Sequence, residues 1–217
     1  MKLAHISASA AIAACSSILA FSQNLLSNGS FETGNLSGWT TFVTTNGNLG
    51  SAYGLPNVVS FDVAGTGTPV PAAQFQVGEV VFNQQTLEGG GIDQSFNCAA
   101  GTYNISVQVA ATNMLTLTNF QAGIFSLMMD GKTLATTNSG SIDPGQTFRD
   151  TLDATLALSS GPHEISIEIE RNFLNAGSYG RSPVEFLDNI EVRLVPEPSA
   201  SFLILTGMFL VWAKRRV

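Results

Sequence analysis

Short segments in which apolar and polar residues alternate recur through the middle of this 217-residue chain. In Thr102–Ala110 every second residue is apolar, and in His163–Arg171 isoleucine alternates with serine or glutamate. Side chains of a β-strand point to opposite faces in turn, so a two-residue period is typical of half-buried strands. Between the two ends of the chain, no segment keeps a 3.6-residue period over a dozen residues, which argues against long helices.

Glycine-rich turn signals separate the alternating segments. Further strand candidates are Thr147–Leu158, Val58–Val63, Gln74–Phe82, Gly91–Phe96 and Gly123–Met129. The turn signals are Gly65–Gly67, Gly89–Gly91, Ala100–Gly101, Asp130–Gly131, Asp143–Gly145 and Gly161–Pro162. Many short strands joined by such turns predict an all-β fold, a two-sheet jelly-roll β-sandwich.

The first 22 residues have the composition of a secretory signal. A lone Lys2 precedes the apolar, alanine- and serine-rich stretch Ala8–Phe21, which we expect to be helical. Ala20 and Ser22 occupy the −3 and −1 positions of a cleavage after Ser22. A lipoprotein signal ending at Cys15 is the alternative, but its cleavage would cut the apolar stretch in the middle. The predicted organisation is therefore a signal peptide at 1–22, a sandwich domain at 23–195 and a terminal segment at 196–217.

The terminal segment combines an apolar stretch with a basic end. Ala200–Ala213 carries no charge, and its fourteen residues would form a helix of about 21 Å, short of a hydrocarbon core of about 30 Å. Lys214–Arg216 follow directly, as in the positive-inside pattern of a terminal membrane stop. We expect one short transmembrane helix with the sandwich domain on the exported side. Pro196 and Pro198 keep the preceding residues extended.

Pro196-Glu197-Pro198, the apolar stretch and the basic Arg215 and Arg216 together resemble the PEP-CTERM sorting signal of Gram-negative bacteria. The resemblance implies recognition and processing by an exosortase, a membrane enzyme of the transpeptidase type. It also implies transient anchoring in the inner membrane, with the domain on the periplasmic side, followed by release to the cell surface or extracellular matrix. Exopolysaccharide and biofilm are the usual context of that signal. The alternative is an ordinary tail anchor with a coincidental Pro-Glu-Pro.

The charge of the predicted domain restricts its partners. Residues 23–195 contain five lysines and arginines and fifteen acidic residues, a net charge of −10. Such a surface disfavours nucleic acid and anionic lipid headgroups but is compatible with divalent cations and neutral sugars. Cys98 is the single cysteine of this region, so no internal disulfide is possible and we expect a buried thiol.

Three stretches of the domain resemble the galactose-binding-like jelly roll of many carbohydrate-binding modules. They are Asn24–Thr40, then Gly91–Phe96 with Ala99–Val109, and finally Val184–Val195. The resemblance implies a structural calcium held by acidic residues of the first and last strands, here Glu32 and Asp188. In the predicted last strand, Asp188 alternates in step with Phe186 and Ile190, which places a carboxylate on the apolar face. A carboxylate accepting backbone N–H groups at a strand bend is the alternative.

Loop residues are the candidates for ligand binding. Tyr53, Phe173 and Tyr179 are aromatic residues in predicted loops, and Arg171, Asn172 and Arg181 belong to the same long polar loop as the last two. Loops carry binding residues more often than strands do. Each aromatic residue could instead pin its own loop. Trp39 could stack on a sugar, but the resemblance to carbohydrate-binding modules implies that its ring packs in the core, where we expect it.

Catalytic patterns are missing from the sequence. His163 is the one histidine of the domain and follows Gly161-Pro162, which predicts a turn position. No G-x-S-x-G or H-E-x-x-H motif occurs. The predicted function is non-catalytic association with extracellular polysaccharide. A structural surface-coat protein without a sugar ligand is the first alternative, and a secreted glycan hydrolase with two facing carboxylates is the second.

Overall fold

A computed structural model describes residues 22–83, 86–174 and 183–196. Several predictions concern residues outside these ranges. They are the signal and transmembrane helices, the sorting residues Glu197, Pro198, Arg215 and Arg216, and the ligand candidates Tyr179 and Arg181. Within the described ranges, no helix has the length and apolar character needed to cross a membrane.

The described residues form twelve strands and one short 3-10 helix, Ser51–Tyr53. The strands are β1 (Thr40–Val43), β2 (Gly47–Asn48), β3 (Asn57–Phe61), β4 (Val70–Phe75), β5 (Gly78–Glu79), β6 (Glu88–Cys98), β7 (Gly101–Thr112), β8 (Ile124–Met129), β9 (Lys132–Asn138), β10 (Thr147–Leu158), β11 (Gly161–Arg171) and β12 (Val184–Leu194). Predicted strand bounds are close for β3, β8, β10, β11 and β12. The prediction of one strand over Gln74–Phe82 is wrong, because β4 ends at Phe75 and a loop follows β5.

Ten of these strands form two five-stranded antiparallel sheets. The first sheet has the order β1-β6-β11-β8-β9 and the second has the order β10-β7-β12-β4-β3. Strands β2 and β5 pair as a small separate ribbon. From β6 to β12 the chain crosses to the other sheet after every strand except β8, which pairs with β9 in a hairpin. This alternation between sheets is the jelly-roll arrangement, and the predicted fold class is confirmed.

The space between the sheets is filled by the apolar residues of the alternating segments. Ile105, Val107 and Val109 of β7 and the isoleucines of β11 are fully buried. Trp39 is buried as predicted, with its ring centroid 6.1 Å from that of Phe31. The thiol of Cys98 is only half-buried, at the edge of this core.

His163 corrects one sequence expectation, because it lies in β11 opposite Phe96 and not in a turn. Its Nδ1 is 2.7 Å from Oδ2 of Asp130, and its Nε2 is 3.0 Å from the carbonyl oxygen of Ser159. The carboxylate of Asp130 is the main reason why the pKa of His163 is raised. The imidazole therefore joins two neighbouring turns, and both of its nitrogens are occupied.

The two ends of the described chain lie side by side. Ser22 accepts hydrogen bonds from Arg193 Nη1 through its carbonyl, at 2.7 Å, and from the amide of Leu194 through its hydroxyl, at 2.8 Å. We call this end of the sandwich the proximal end. The loops 44–56, 76–83 with 86–87, 113–123, 139–146 and 172–174 lie at the opposite end and are called the distal loops.

Three successive glycines in β6 were predicted as a turn, but they lie inside the strand. A Cβ atom on Gly91 would be 1.8 Å from the carbonyl oxygen of Ile167 in β11, and one on Gly90 would be 2.1 Å from that of Phe42 in β1. Neighbouring backbones therefore occupy the space that a side chain would need. Glycine at these positions allows β6 to pair closely with both of its neighbours.

Replacing Gly91 with alanine tests this close approach. We expect Gly91→Ala to lower the free energy of unfolding by about 1–3 kcal/mol, because a backbone oxygen cannot move aside without breaking the pairing. Urea denaturation provides the measurement, with Ser95→Ala in the same strand as the control. A Gly91→Ala protein as stable as the control would show that the strands are not packed this closely.

Candidate functional site

A β-bulge in β12 decides which of its side chains face the core. The register between β12 and β7 shifts between Asp188 and Glu191, and Asn189 adopts a left-handed conformation with φ of 53°. Before the bulge, Val184 and Phe186 pack in a small apolar cluster on the outer face of the second sheet. After the bulge, Ile190 packs in the main core between the two sheets. The predicted common face of Phe186, Asp188 and Ile190 is therefore wrong.

Asp188 is nevertheless buried, with 5% of its surface exposed. Its Oδ1 accepts a hydrogen bond of 2.6 Å from the amide of Asn189, as in the alternative of a carboxylate at a strand bend. Burial is the main cause that raises the pKa of Asp188 to about 6, and the negative charge of Glu32 adds to it. The structure thus brings together the two acidic residues predicted as calcium ligands.

The chemical type of these two groups fits calcium, which prefers carboxylate and carbonyl oxygens. Calcium takes 6–8 oxygen ligands, so two carboxylates do not complete a site. In the part of the chain that the structure describes, no group of three or more His, Cys, Asp or Glu side chains could hold a metal ion. Backbone carbonyls and water would have to supply the remaining ligands.

Arg171 does not lie in a loop, as the sequence suggested, but ends β11 and is 2% exposed. Its Nε donates to the carbonyl of Gln121 at 2.8 Å, and its Nη1 donates to the carbonyl of Val77 at 3.1 Å. The ring of Phe173 lies 5.8 Å from its guanidinium carbon. Arg171 therefore contacts three distal loops, those of Gln121, Val77 and Phe173, from the core side, and its guanidinium is buried.

Glu185 is a buried partner of Arg171 that the sequence analysis missed. Its Oε2 accepts the amide of Val77 at 3.0 Å, so both charged residues bind the backbone of the same residue. Burial raises the pKa of Glu185 to about 8, although the positive charge of Arg171 opposes that shift. A strict two-residue period counted back from Ile190 places Glu185 on the polar face. The bulge after Asp188 reverses the faces, so Glu185 in fact points to the interior.

The remaining predicted ligand residues lie in the distal loops. Tyr53 ends the 3-10 helix and is half-buried, as are Asn172 and Phe173. The amide of Asn172 donates to Oε1 of Gln121 at 3.0 Å. These residues share one end of the sandwich, but their side chains are in part committed to holding the loops.

The most exposed apolar side chains of the distal loops were not predicted as site residues. Phe82 is 51% exposed and Phe120 is 73% exposed, and Val80, Val81, Met114 and Leu117 are exposed as well. Large apolar side chains in turn-rich sequence were the available signal. Large apolar patches on a folded domain are typical of sites of interaction, so these side chains are candidate ligand contacts.

The backbones that carry these side chains are fixed. Asn46 exchanges hydrogen bonds of 2.7–2.9 Å with the backbone of Val80 and Val81. On the other loop, Asn119 and Ile142 exchange two backbone hydrogen bonds of 2.8 and 2.9 Å, and Ser141 Oγ donates to the carbonyl of Phe120. Both aromatic rings therefore point into solvent from loops that are held in place.

A second group of titratable side chains lies on the outer face of the first sheet. Glu168 and Glu170 alternate with buried isoleucines of β11 and are half-buried. Burial, followed by the charges of Glu168 and Glu88, raises the pKa of Glu170 to about 7. The pKa of Glu88 is lowered, because Thr44 Oγ1 and the amide of Asn46 donate to its carboxylate. Glu88, which pairs with Arg171 in the strand register, is thus ionised, whereas Glu170 takes up a proton near neutral pH.

No protein-family model matches the chain, and no curated protein matches it. Solved structures of similar fold include TmCBM61 in complex with β-1,4-galactotriose, which is 16% identical, with 80% of this chain and 100% of that chain covered and a TM-score of 0.46. The CBM22-1 xylan-binding domain of Paenibacillus barcinonensis Xyn10C is 16% identical, with 82% and 97% covered and a TM-score of 0.40. The carbohydrate-binding module CBM36 in complex with calcium and xylotriose is 18% identical, with 70% and 98% covered and a TM-score of 0.31. These likenesses concern the fold, so a ligand site in this chain has to be identified from its own side chains.

The raised pKa of Asp188 predicts a pH dependence of stability. Because the pKa is about 6 in the folded protein and near 3.8 in the unfolded chain, the folded state loses stability as pH rises from about 4 to about 6. Without divalent cations, we expect Asp188→Asn to be more stable than the wild type above pH 6, by on the order of 1 kcal/mol after allowance for solvent screening. Thermal unfolding between pH 4 and 8 measures this difference.

Asp150→Asn is the matched control, because Asp150 also accepts the amide of the next residue, at 2.8 Å, but is exposed. Its stability should follow the wild type across the same pH range. An Asp188→Asn protein that is less stable than the wild type above pH 6 in chelator would contradict the burial of an ionised carboxylate.

Proposed function

We propose that this chain is an exported, non-catalytic protein that binds extracellular polysaccharide through its distal loops. The observation that supports the proposal most is the exposure of Phe82 and Phe120 on loops whose backbones are fixed. An aromatic ring offers a large apolar face at low entropic cost, and the C–H faces of sugar rings are apolar. The acidic surface also favours a neutral ligand over an anionic one.

Polar groups for sugar hydroxyls are available in the same loops. Tyr53 and Asn172 are half-buried at this end of the sandwich, and among the described residues no partner donates a hydrogen bond to the Asn172 Oδ1. Tyr179 and Arg181 stay part of the proposal as residues of the adjoining segment. Arg171 would act through the loops that it supports and would not touch the ligand.

The positions of the chain ends are consistent with the proposed sorting. Ser22 and Pro196 leave the domain at the proximal end, opposite the distal loops. If the segment after Pro196 is held in the inner membrane and recognised by an exosortase, the distal loops face away from the bilayer. The same orientation would present them to polysaccharide after transfer to the cell surface or matrix.

Alanine substitution of the exposed rings tests the proposed site. We expect the double variant Phe82→Ala, Phe120→Ala to bind the producer's own exopolysaccharide at least about fivefold more weakly, since each stacking contact contributes about 0.5–1.5 kcal/mol. Pull-down and affinity electrophoresis of the purified protein measure binding, with Val70→Ala, an exposed apolar residue of β4, as the control. Wild-type protein that is not retained at all would favour a structural surface-coat protein without a sugar ligand.

A glycan hydrolase is a second candidate function, favoured by Glu88 and Glu170. One ionised and one protonated carboxylate on neighbouring strands are the two groups that glycoside hydrolysis requires. Such an enzyme would release reducing ends from the polysaccharide, and Glu170→Gln would abolish their release. Release that persists in Glu170→Gln, or none from the wild type, would remove this candidate.

We also propose that a calcium ion binds between the carboxylates of Glu32 and Asp188 and stabilises the domain. A cation between the two carboxylates would remove the repulsion that raises the pKa of Asp188. Calcium should then raise the Tm of the wild type at pH 7 and leave that of Asp188→Asn unchanged, with Asp150→Asn responding like the wild type. Differential scanning calorimetry with calcium and with chelator measures these Tm values. A wild-type Tm that neither calcium nor chelator changes would contradict the proposal.

A further inference from the structure

A concave pocket of about 850 Å³ lies on the outer face of the second sheet, near the proximal end. Strands β7, β10 and β12 supply its polar side chains, which are Asn104, Ser106, Asp153, Thr155, Glu191 and Arg193. Leu194, Val195 and Pro196 form its apolar rim. Neither the distal loops nor Glu32 and Asp188 contribute to its lining. Its volume is in the range that small-molecule sites occupy.

The strand register arranges the six polar side chains in two rows. Thr155 pairs with Asn104, which in turn pairs with Arg193 on the next strand. The second row, one step along the strands, contains Asp153, Ser106 and Glu191. The alternating residues Ile105 and Val192 are fully buried in the core. All six polar side chains therefore project to the same outer surface.

Hydrogen bonds fix one side of the pocket. Nε and Nη2 of Arg193 donate to the two carboxylate oxygens of Glu191, each at 2.7 Å, and Nη1 donates to the carbonyl of Ser22 at 2.7 Å. Thr155 Oγ1 donates to Asn104 Oδ1 at 2.8 Å. These hydrogen bonds hold Arg193, Glu191 and Asn104 in place before any ligand binds. Because Thr155 donates to the Asn104 side-chain oxygen, the Asn104 NH2 group is left to donate to a ligand.

The charge of the pocket selects the class of ligand. The positive charge of Arg193 is neutralised by Glu191 in a bidentate pair, which leaves Asp153 as the remaining charged side chain. One net negative charge disfavours phosphates and uronic acids. Carboxylate, amide and hydroxyl groups in two rows suit a ligand with several neighbouring hydroxyl groups, each of which donates and accepts.

We propose that this pocket is a second binding site, which takes a neutral mono- or disaccharide unit. The pocket stands independently of the proposed site at the distal loops. With two sites at different ends of one rigid sandwich, a single domain would link two polysaccharide chains. Binding through both sites on one chain or network would also strengthen attachment without any new contact.

The test uses the full chain and neutral disaccharides, galactobiose and xylobiose, followed by NMR titration up to about 10 mM, a range that detects weak binding. We expect at least one neutral disaccharide to bind, and glucuronic acid not to bind. The double variant Asn104→Ala, Asp153→Ala should weaken that binding at least tenfold. Both residues are exposed and form no core contact, so this variant should keep its fold. Ser106→Gln, which fills the centre of the pocket, is the second variant and should have the same effect.

Val70→Ala, at an exposed residue of β4 outside both proposed sites, is the matched control and should bind disaccharide like the wild type. In the Phe82→Ala, Phe120→Ala protein, the chemical-shift changes of the pocket residues should persist. The proposal is overturned if no neutral disaccharide binds, or if binding survives both Asn104→Ala, Asp153→Ala and Ser106→Gln. Binding that is lost only in the Phe82 and Phe120 variant would also overturn it, while supporting the distal site. Failure of the two sites can therefore be told apart.

Discussion

The side chain of Asn24 holds the start of the domain against its last strand, and the arrangement of both depends on that contact. Its Nδ2 donates to the carbonyl of Ile190 at 2.8 Å, and its Oδ1 accepts the amide of Val192 at 2.9 Å. These are the backbone groups that follow the bulge at Asn189, where β12 pairs irregularly with β7. One amide thus satisfies backbone groups on the edge of β12 that β4, whose pairing with β12 ends at Leu187, does not cover. The bulge in turn sends Glu185 and Ile190 to the core side and leaves Asp188 beside Glu32.

The contact between Asn24 and β12 also determines that the chain ends lie at the proximal end, opposite the distal loops. Fixing the first residues along β12 brings Ser22 and Pro196 together, so the chain enters and leaves at the proximal end. The opposite end is free to carry long loops, and a buried layer of Arg171, Glu185 and the backbone of Val77 supports them from below. Exposed aromatic rings on supported loops, and a polar pocket on an outer sheet face, are both consistent with binding and need no catalytic group.

The two-residue period in the sequence was sufficient to predict the all-β sandwich and the longest strands, while the buried position of Trp39 was predicted from the resemblance to carbohydrate-binding modules. It failed where a residue breaks the period. The left-handed Asn189 shifts the alternation in β12, so the predicted side of Ile190 relative to Asp188 was wrong, and Glu185 was missed. Glycines at 89–91 look like a turn in sequence, yet close strand approach requires them inside β6. Exposure of Phe82 and Phe120 could not be predicted because it depends on which loops meet at one end, a property of the strand order.

Polysaccharide binding at the distal loops, remote from the chain ends, is the central proposal. Hydrogen–deuterium exchange of the full chain, with and without the producer's polysaccharide, measures this directly along the backbone. We expect slower exchange in residues 80–83 and 114–121 when polysaccharide is present. Unchanged exchange in those loops, with protection confined to the face that carries Glu168 and Glu170, would contradict it.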